Sequence, residues 1–530
     1  MLIHDLPIRS PSPSEMVKVS GYCVVFYILS SLASAFYNAY FGPLREYPGP
    51  PLRALSNLPL LLSTARGTKD IELVQLHQKY GSVVRVAPCQ LSYAGGAQAW
   101  KDIYGHRKHG QASNEKYLGF YATPFNGVHS LISADELGHS RQRRIVSHSF
   151  ADRTLKDLEP LLMRWITKMK GKLEEKSQTR EEIDLLKYYN CKWKSDAMLQ
   201  SRMVELLTSL LGTTFDIMGD LTFSASLGML DNGEYSSWVT AIFGGIKGGT
   251  ILRAIRDING VTNWIFTKFV MRSPRFVNMR AEHWNYSAER VACRLEKTPD
   301  TPDLWTKILE KGSGANGLTF GEHESNASLF MIAGTETTAT LLSGTTYYLL
   351  RNPQYLEKLT REVRDAFSSF EHINIESVQR LKYLQAVLQE GLRMYPPVPT
   401  LLPRIAPEDG VIICGEFVPG GTVVGVHQLA TYRSEAHFKD ALDFRPERWL
   451  GDPAYRNDRL DAVEAFSVGP RNCLGKNLAW HEMRLILSTV LHAFDLKLCA
   501  ESEQWRDQKT YSIWEKKPLM VVLSPAKHER

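Results

Sequence analysis

Ten residues near the carboxyl end constrain this chain most: Phe466-Ser467-Val468-Gly469-Pro470-Arg471-Asn472-Cys473-Leu474-Gly475. One cysteine sits in a loop between glycines, with an arginine two residues before it. A helical pattern follows through Asn477, Leu478, Ala479, Met483, Leu485 and Ile486. Glycines let a backbone turn sharply and approach a bound group closely. A helix amino end favours negative charge, and a nearby cation adds to that. The pattern therefore predicts a lowered thiol pKa and a thiolate, the form that binds metal or attacks as a nucleophile. The other six of the seven cysteines are scattered, with no CxxC. That spacing argues against a disulfide scaffold or structural zinc site and suits a reducing compartment.

The amino end carries a different constraint. No charge occurs between Lys18 and Arg45, and Gly21 to Tyr40 is aromatic, β-branched and small. A membrane span needs about 20 mostly apolar residues. A cleaved signal peptide has a shorter apolar core followed by a small-residue site. Here the exit is Arg45-Glu46-Tyr47-Pro48-Gly49-Pro50-Pro51 instead, a stiff spacer. Residues 1–18 read as a short tail, 19–44 as a transmembrane anchor, 45–52 as a proline-rich hinge and 53–530 as one catalytic domain. Arg45, Arg53, Arg66 and Lys69 after the span favour a cytosolic carboxyl side.

The body reads as mostly α with a small β portion in a single large domain. Ile71–Tyr80 has helical spacing and stops at Gly81. Ser82–Ala87 and Gln90–Tyr93 read as a hairpin, and strand-like pieces return at Val411–Cys414, Thr422–Val426 and Leu519–Leu523. A net charge of +6 over 530 residues gives no nucleic-acid footprint.

Three further motifs lie before the cysteine loop. Glu390 and Arg393 share one face of a helical pattern and run into Met394-Tyr395-Pro396-Pro397, with Phe444-Arg445-Pro446-Glu447-Arg448-Trp449 about fifty residues on. Ala333-Gly334-Thr335-Glu336-Thr337-Thr338 interrupts a long apolar helix of roughly 322–350, which Thr319 and Glu322 would cap. His139-Ser140-Arg141-Gln142-Arg143 opens another helix. Alone, each has an ordinary reading: a surface ion pair, a solvent-facing polar patch, a solvated basic face.

Together, in this order, these motifs resemble the cytochromes P-450, the haem-thiolate monooxygenases. The resemblance runs from about Tyr47 to Leu523. It implies the cytochrome P-450 fold, with haem b (iron protoporphyrin IX) held by Cys473 as axial ligand. Phe466 would pack beside that sulfur, Gly475 would belong to the cofactor loop, and Arg471, Arg143 and Arg404 would meet the haem propionates. His139 stands where the family usually has tryptophan, which leaves HxxxR. Glu390, Arg393 and Arg448 would form a buried structural network. Thr337 would hold an ordered water over the haem, with Glu336 feeding the proton relay. The resemblance also implies O2 as co-substrate and electrons from NADPH through a cytochrome P-450 reductase, with cytochrome b5 as an optional donor. The location it implies is the endoplasmic reticulum membrane, single-pass, with the catalytic domain cytosolic.

Phrases such as Ala99-Trp100-Lys101-Asp102-Ile103-Tyr104-Gly105-His106-Arg107 and Asp216-Ile217-Met218-Gly219-Asp220 are similar to filamentous-fungal secondary-metabolism members. They point to a lipophilic polyketide, terpenoid or alkaloid substrate. Aromatics at Tyr117, Phe120, Tyr121 and Phe125, with Phe330, Val398–Leu401 and Tyr511–Trp514, are the expected pocket walls. Two rivals remain: a reductase-independent rearrangement or dehydration enzyme, and a haem-binding sensor without turnover. One stretch departs from the family. Cys191 to Gly212 separates Tyr189-Asn190 from Thr213, and it reads either as a surface insertion or as a retained intron. Cys-Lys-Trp can be encoded with a donor-like GTAAGT. Transcript reads crossing the segment without a gap would exclude the intron.

Overall fold

The computed structural model describes residues 12–107, 112–121, 125–179, 182–185, 213–232, 237–299, 301–311 and 317–527. The segment 191–212, with its helical pattern at Met203–Leu211, lies outside the described residues.

Helix α1 spans Pro13–Tyr40. Ser12 and Glu15 cap it reciprocally, and Pro13 occupies the first turn, where its missing N–H costs nothing. The helix therefore takes in much of the expected tail and stops at Tyr40, short of residue 44. Ser14–Tyr40 is long and apolar enough to cross a membrane. Tyr22, Phe26, Leu29 and Leu32 stand exposed along it. Arg85 ties its carboxyl end to the body, donating to the carbonyls of Asn38 (3.1 Å) and Pro88 (2.8 Å).

The first sheet joins β1 (Val83–Ala87), β2 (Gln90–Tyr93), β3 (Glu115–Lys116), β4 (Arg404–Ile405) and β5 (Val423–Val426), in the order β1-β2-β5-β4-β3. The β1–β2 hairpin bulges between Arg85 and Ala87, and β2 runs parallel to β5. Cys414 is not part of a strand. It sits in the turn of a small hairpin, Val411–Ile413 with Glu416–Val418, at φ +51°. The last strand is Met520–Pro525, central in a separate three-stranded sheet.

Six helices carry the site: α2 (Glu136–Val146), α3 (Thr213–Phe223), α4 (Ser237–Arg256), α5 (Phe320–Arg351), α6 (Lys382–Met394) and α7 (Lys476–Ala493). The 32-residue α5 is capped by Thr319 and Glu322. It is buried through most of its length and packs on α3, α6 and α7. A Cβ at Gly334 would lie 2.5 Å from the Met218 sulfur, so the glycine makes room for the Met218 side chain of α3 against α5. The apolar core is continuous around α5, from Trp165 and Phe215 to Tyr395 and Trp514.

Candidate active site

A cavity of about 290 Å³ lies between α5 and α7. Ala333, Gly334 and Thr337 line it from α5; Leu478, Ala479 and Glu482 line it from α7. The cysteine loop closes one end. Ser467 and Gly469 both adopt positive φ, +58° and +76°. A Cβ at Gly469 would sit 2.0 Å from the carbonyl oxygen of Tyr104, so no other residue fits. The Cys473 N–H donates to the Phe466 carbonyl at 2.8 Å. Gly475 caps α7, and its N–H donates to the Cys473 sulfur. Phe466 forms part of the wall, its ring centroid 6.1 Å from that of Trp480.

The free thiol behaves opposite to expectation. The Cys473 sulfur is exposed to the cavity, but desolvation by the loop packed around it pushes its pKa up, outweighing the Gly475 N–H and the Arg143 and Lys476 charges. The helix end and the arginine act against the desolvation of the packed loop, which penalises an uncompensated anion. A cation bonded to the sulfur, as a metal provides, would favour the thiolate at this place.

Around the loop stand more cations than the cavity can neutralise. Arg143 donates to the Asn472 carbonyl (2.6 Å) and to its side-chain oxygen (2.8 Å), bracing the residue before the cysteine. Arg471 donates Nη2 to the Ala134 carbonyl at 3.0 Å, while its Nη1 is buried without a partner among the described residues. Lys116 and Arg404 are directly opposed in the β3–β4 register. Like charges so placed destabilise a sheet. Burial and these neighbours push Lys116 well below its usual value, Arg471 down to about 10 and His139 down to about 3. Lys116, His139, Arg143 and Arg471 line the cavity; Arg404 does not, and backs Lys116 with its Nε also unpartnered. Among the described residues the only acid in the lining is Glu482. A cavity with a cysteine sulfur on one wall and orphaned guanidinium donors at one end fits a metal-centred group bearing carboxylates, and haem b is such a group.

Thr337 lines the cavity and donates its hydroxyl to the Ala333 carbonyl at 2.7 Å. Its lone pairs remain free to accept. Glu336, expected beside it in the relay, is not in the lining. It points to the far side of α5, where buried Lys516 pairs with it and also donates to Thr340 (2.6 Å). The cavity-facing arc of α5 takes in Ala333, Gly334, Thr337 and Thr338, and Glu336 lies outside that arc, on the side held by Lys516.

Glu482 was not singled out in the sequence. It is buried, accepts from Thr338, and has Oε1 unpartnered among the described residues. Burial pushes its pKa to about 8 from an ordinary 4.5. Between those values the folded chain holds a proton that the unfolded chain has released, so stability falls as pH rises from about 4.5 through 8. Glu482→Gln is expected to gain little at pH 5 and on the order of 3–5 kcal/mol at pH 8 relative to the parent. Urea midpoints of the haem-loaded proteins at both pH values check this; a constant difference contradicts it.

Glu390, Arg393 and Arg448 meet in one buried cluster. Arg393 grips Glu390 with two bonds, 2.9 and 2.7 Å, and Arg448 adds a third at 3.2 Å. The Trp449 indole and the Arg445 N–H complete the carboxylate's shell. Burial alone would raise the Glu390 carboxyl; the two arginines hold it below its usual value. Arg393 also donates to the carbonyls of Tyr432, Ala441 and Asp443. The network thereby fixes α6 to the segment leading into the cysteine loop.

Of the expected pocket walls, Tyr121, Phe330 and Val398 line this cavity. Tyr117, Phe120 and Leu401 line a second one. Phe125 instead faces Trp284, and Trp514 stacks on Tyr395, its N–H donating to the Pro396 carbonyl.

The chain was compared with known proteins. The cytochrome P450 family model matches residues 48–523. Cytochrome P450 monooxygenase efuB of Hormonema carpetanum is 45% identical over 510 residues, covering 95% of this chain and 96% of that protein. Cytochrome P450 monooxygenase aclL of Aspergillus oryzae is 38% identical, covering 94% and 97%. Averantin hydroxylase of Dothistroma septosporum is also 38% identical, covering 98% and 96%. The cysteine loop, the helix crossing above it and this full-length similarity agree: the chain belongs to the cytochrome P450 family and is a monooxygenase of the type found in fungal secondary metabolism.

Proposed function

We propose that this enzyme oxidises a lipophilic small molecule, a polyketide, terpenoid or alkaloid intermediate, by hydroxylation or a related insertion of oxygen. One observation carries the reading: a single cavity brings together Cys473, a cationic end and the Thr337 hydroxyl. Haem b, when bound, supplies the activation of O2. Cys473 is the residue that would hold its iron. Lys116, Arg143 and Arg471, backed by Arg404, would hold its propionates; Phe466 and Gly475 would shape the proximal loop.

The chain's own work is binding, orientation and proton handling. Leu329, Phe330, Ala333 and Val398 give the substrate an apolar wall and exclude water. Thr337, its proton committed to the Ala333 carbonyl, accepts a hydrogen bond from a water above the cavity floor and positions it for proton delivery. Glu336 acts from behind the helix, through its contact with Lys516 and Thr340, and not as a group facing the substrate. Electrons come from NADPH through a partner reductase, with cytochrome b5 as an optional donor. Helix α1 anchors the enzyme in the endoplasmic reticulum membrane, with the catalytic domain in the cytosol.

The test is turnover of candidate lipophilic metabolites by membranes containing the enzyme, with and without reductase and NADPH, read by mass spectrometry. Oxygenated product that needs both supports the proposal; rearranged or dehydrated product without reductase replaces it with the isomerase reading. Thr337→Ala is expected to keep the haem spectrum while product formed per NADPH falls severalfold and peroxide rises. Unchanged coupling would remove Thr337 from the relay.

A further inference from the structure

A second cavity, of about 390 Å³, adjoins the first. The two share walls. The turn at Tyr117–Tyr121 gives Tyr121 to the Cys473 cavity and Tyr117 and Phe120 to the second. The segment 398–403 gives Val398 and Leu402 to the first, and Thr400, Leu401 and Pro403 to the second. Their chemistry differs. The wall near Thr337 is hydrocarbon, whereas the second cavity presents Lys69, Arg253 and Arg256 against one acid, Asp257.

Two of these cations are matched. Arg256 pairs with Asp257 at 2.7 Å, and Lys69 lies 3.5 Å from buried Asp70 while donating to Thr400 at 2.9 Å. Arg253, on α4, is different. It donates to the Phe120 carbonyl and to the Thr250 hydroxyl (3.2 Å), and it lies 4.4 Å over the Phe120 ring. These partners are neutral, and the nearby carboxylate, Asp257, acts on Arg253 without a direct bond while it is paired with Arg256. Burial and the adjacent Arg256 push its pKa down to about 10, so it stays charged at neutral pH. A charge withdrawn from water is stable when an opposite charge meets it, and a guanidinium fork matches a carboxylate. Arg253 and Arg256 also hold the carbonyls of Phe120 and Gly119, the turn that separates the two cavities.

We propose that the second cavity binds the carboxylate end of an elongated amphiphilic substrate, with Arg253 as the ion-pairing residue and the apolar body reaching the Cys473 cavity. This rests on the oxidation reading above and narrows its substrate class to lipophilic acids. It also gives a reason for the paired arginines on the partition: a carboxylate arriving at Arg253 competes with the Phe120 carbonyl and loosens the turn through which the chain of the substrate must pass.

The experiment uses the full-length haem-loaded enzyme, with dodecanoate and methyl dodecanoate as matched probes. Binding is read by the ferric spin-state shift and, independently, by calorimetry. Dodecanoate is expected to bind at least about tenfold more tightly than its ester. Arg253→Leu should abolish that preference, so that acid and ester bind alike, and Arg253→Lys should keep part of it. Acetate, a carboxylate without the chain, should cause no shift at the same concentrations. Equal binding of acid and ester by the parent, no binding of the acid by either method, or a preference that survives in Arg253→Leu would overturn the proposal. A preparation that lacks a thiolate-type carbonyl spectrum would instead overturn the oxidation reading, and calorimetry could still decide the acid preference.

Discussion

Arg393→Ala is expected to give no stable haem-binding protein. The side chain is fully buried and serves Glu390 and three backbone carbonyls at once. Its removal leaves a carboxylate in the interior with one arginine fewer. Breaking one partner of such a network costs about 3–5 kcal/mol, and a domain's whole stability is about 5–15 kcal/mol. Arg393→Lys should recover little, because an ammonium cannot reproduce the two-pronged grip on Glu390. The check is the yield of haem-loaded protein and its urea midpoint. A variant as stable as the parent would mean that the cluster does not organise the haem side of the fold.

Cys473→Ser should leave a folded chain and no monooxygenase. The substitution is nearly isosteric, the bond to the Phe466 carbonyl is made by the backbone, and a serine oxygen can accept from the Gly475 N–H as the sulfur does. Burial that already disfavours a thiolate disfavours an alkoxide far more, so serine offers no anion to the iron. NADPH-dependent product is expected to fall to background while thermal stability of the metal-free chain changes by less than about 1 kcal/mol. Retained turnover would place the ligand elsewhere.

Much of this was legible because the decisive residues are close in sequence. Phe466 through Gly475 forms one loop, Glu390 and Arg393 lie one helical turn apart, and Thr319 with Glu322 caps α5 where the pattern placed it. What was not legible lies in pairings across long separations. Lys116 reads as a surface charge until a two-residue strand sets it opposite Arg404. Lys516 sits in a Glu-Lys-Lys run that looks solvated, yet it is buried against Glu336, 180 residues earlier. That contact holds Glu336 away from the cavity, so adjacency in the motif is not adjacency at the cavity for Glu336 and Thr337. The direction of the Cys473 shift was misjudged for a related reason: helix end and arginine are local, and burial is the sum of everything packed around them. Glu482 carries no sequence signal beyond helical position, and only its place between α5 and α7 makes it a neutral acid in the cavity wall.

The most direct test of the central claim is the absorption spectrum of the reduced, carbon-monoxide-bound protein, purified as the full chain. Cys473 ligating haem iron predicts the strongly red-shifted Soret band of a thiolate complex, absent from Cys473→Ser. A band at the position given by imidazole ligation, or purified protein without haem, would contradict it.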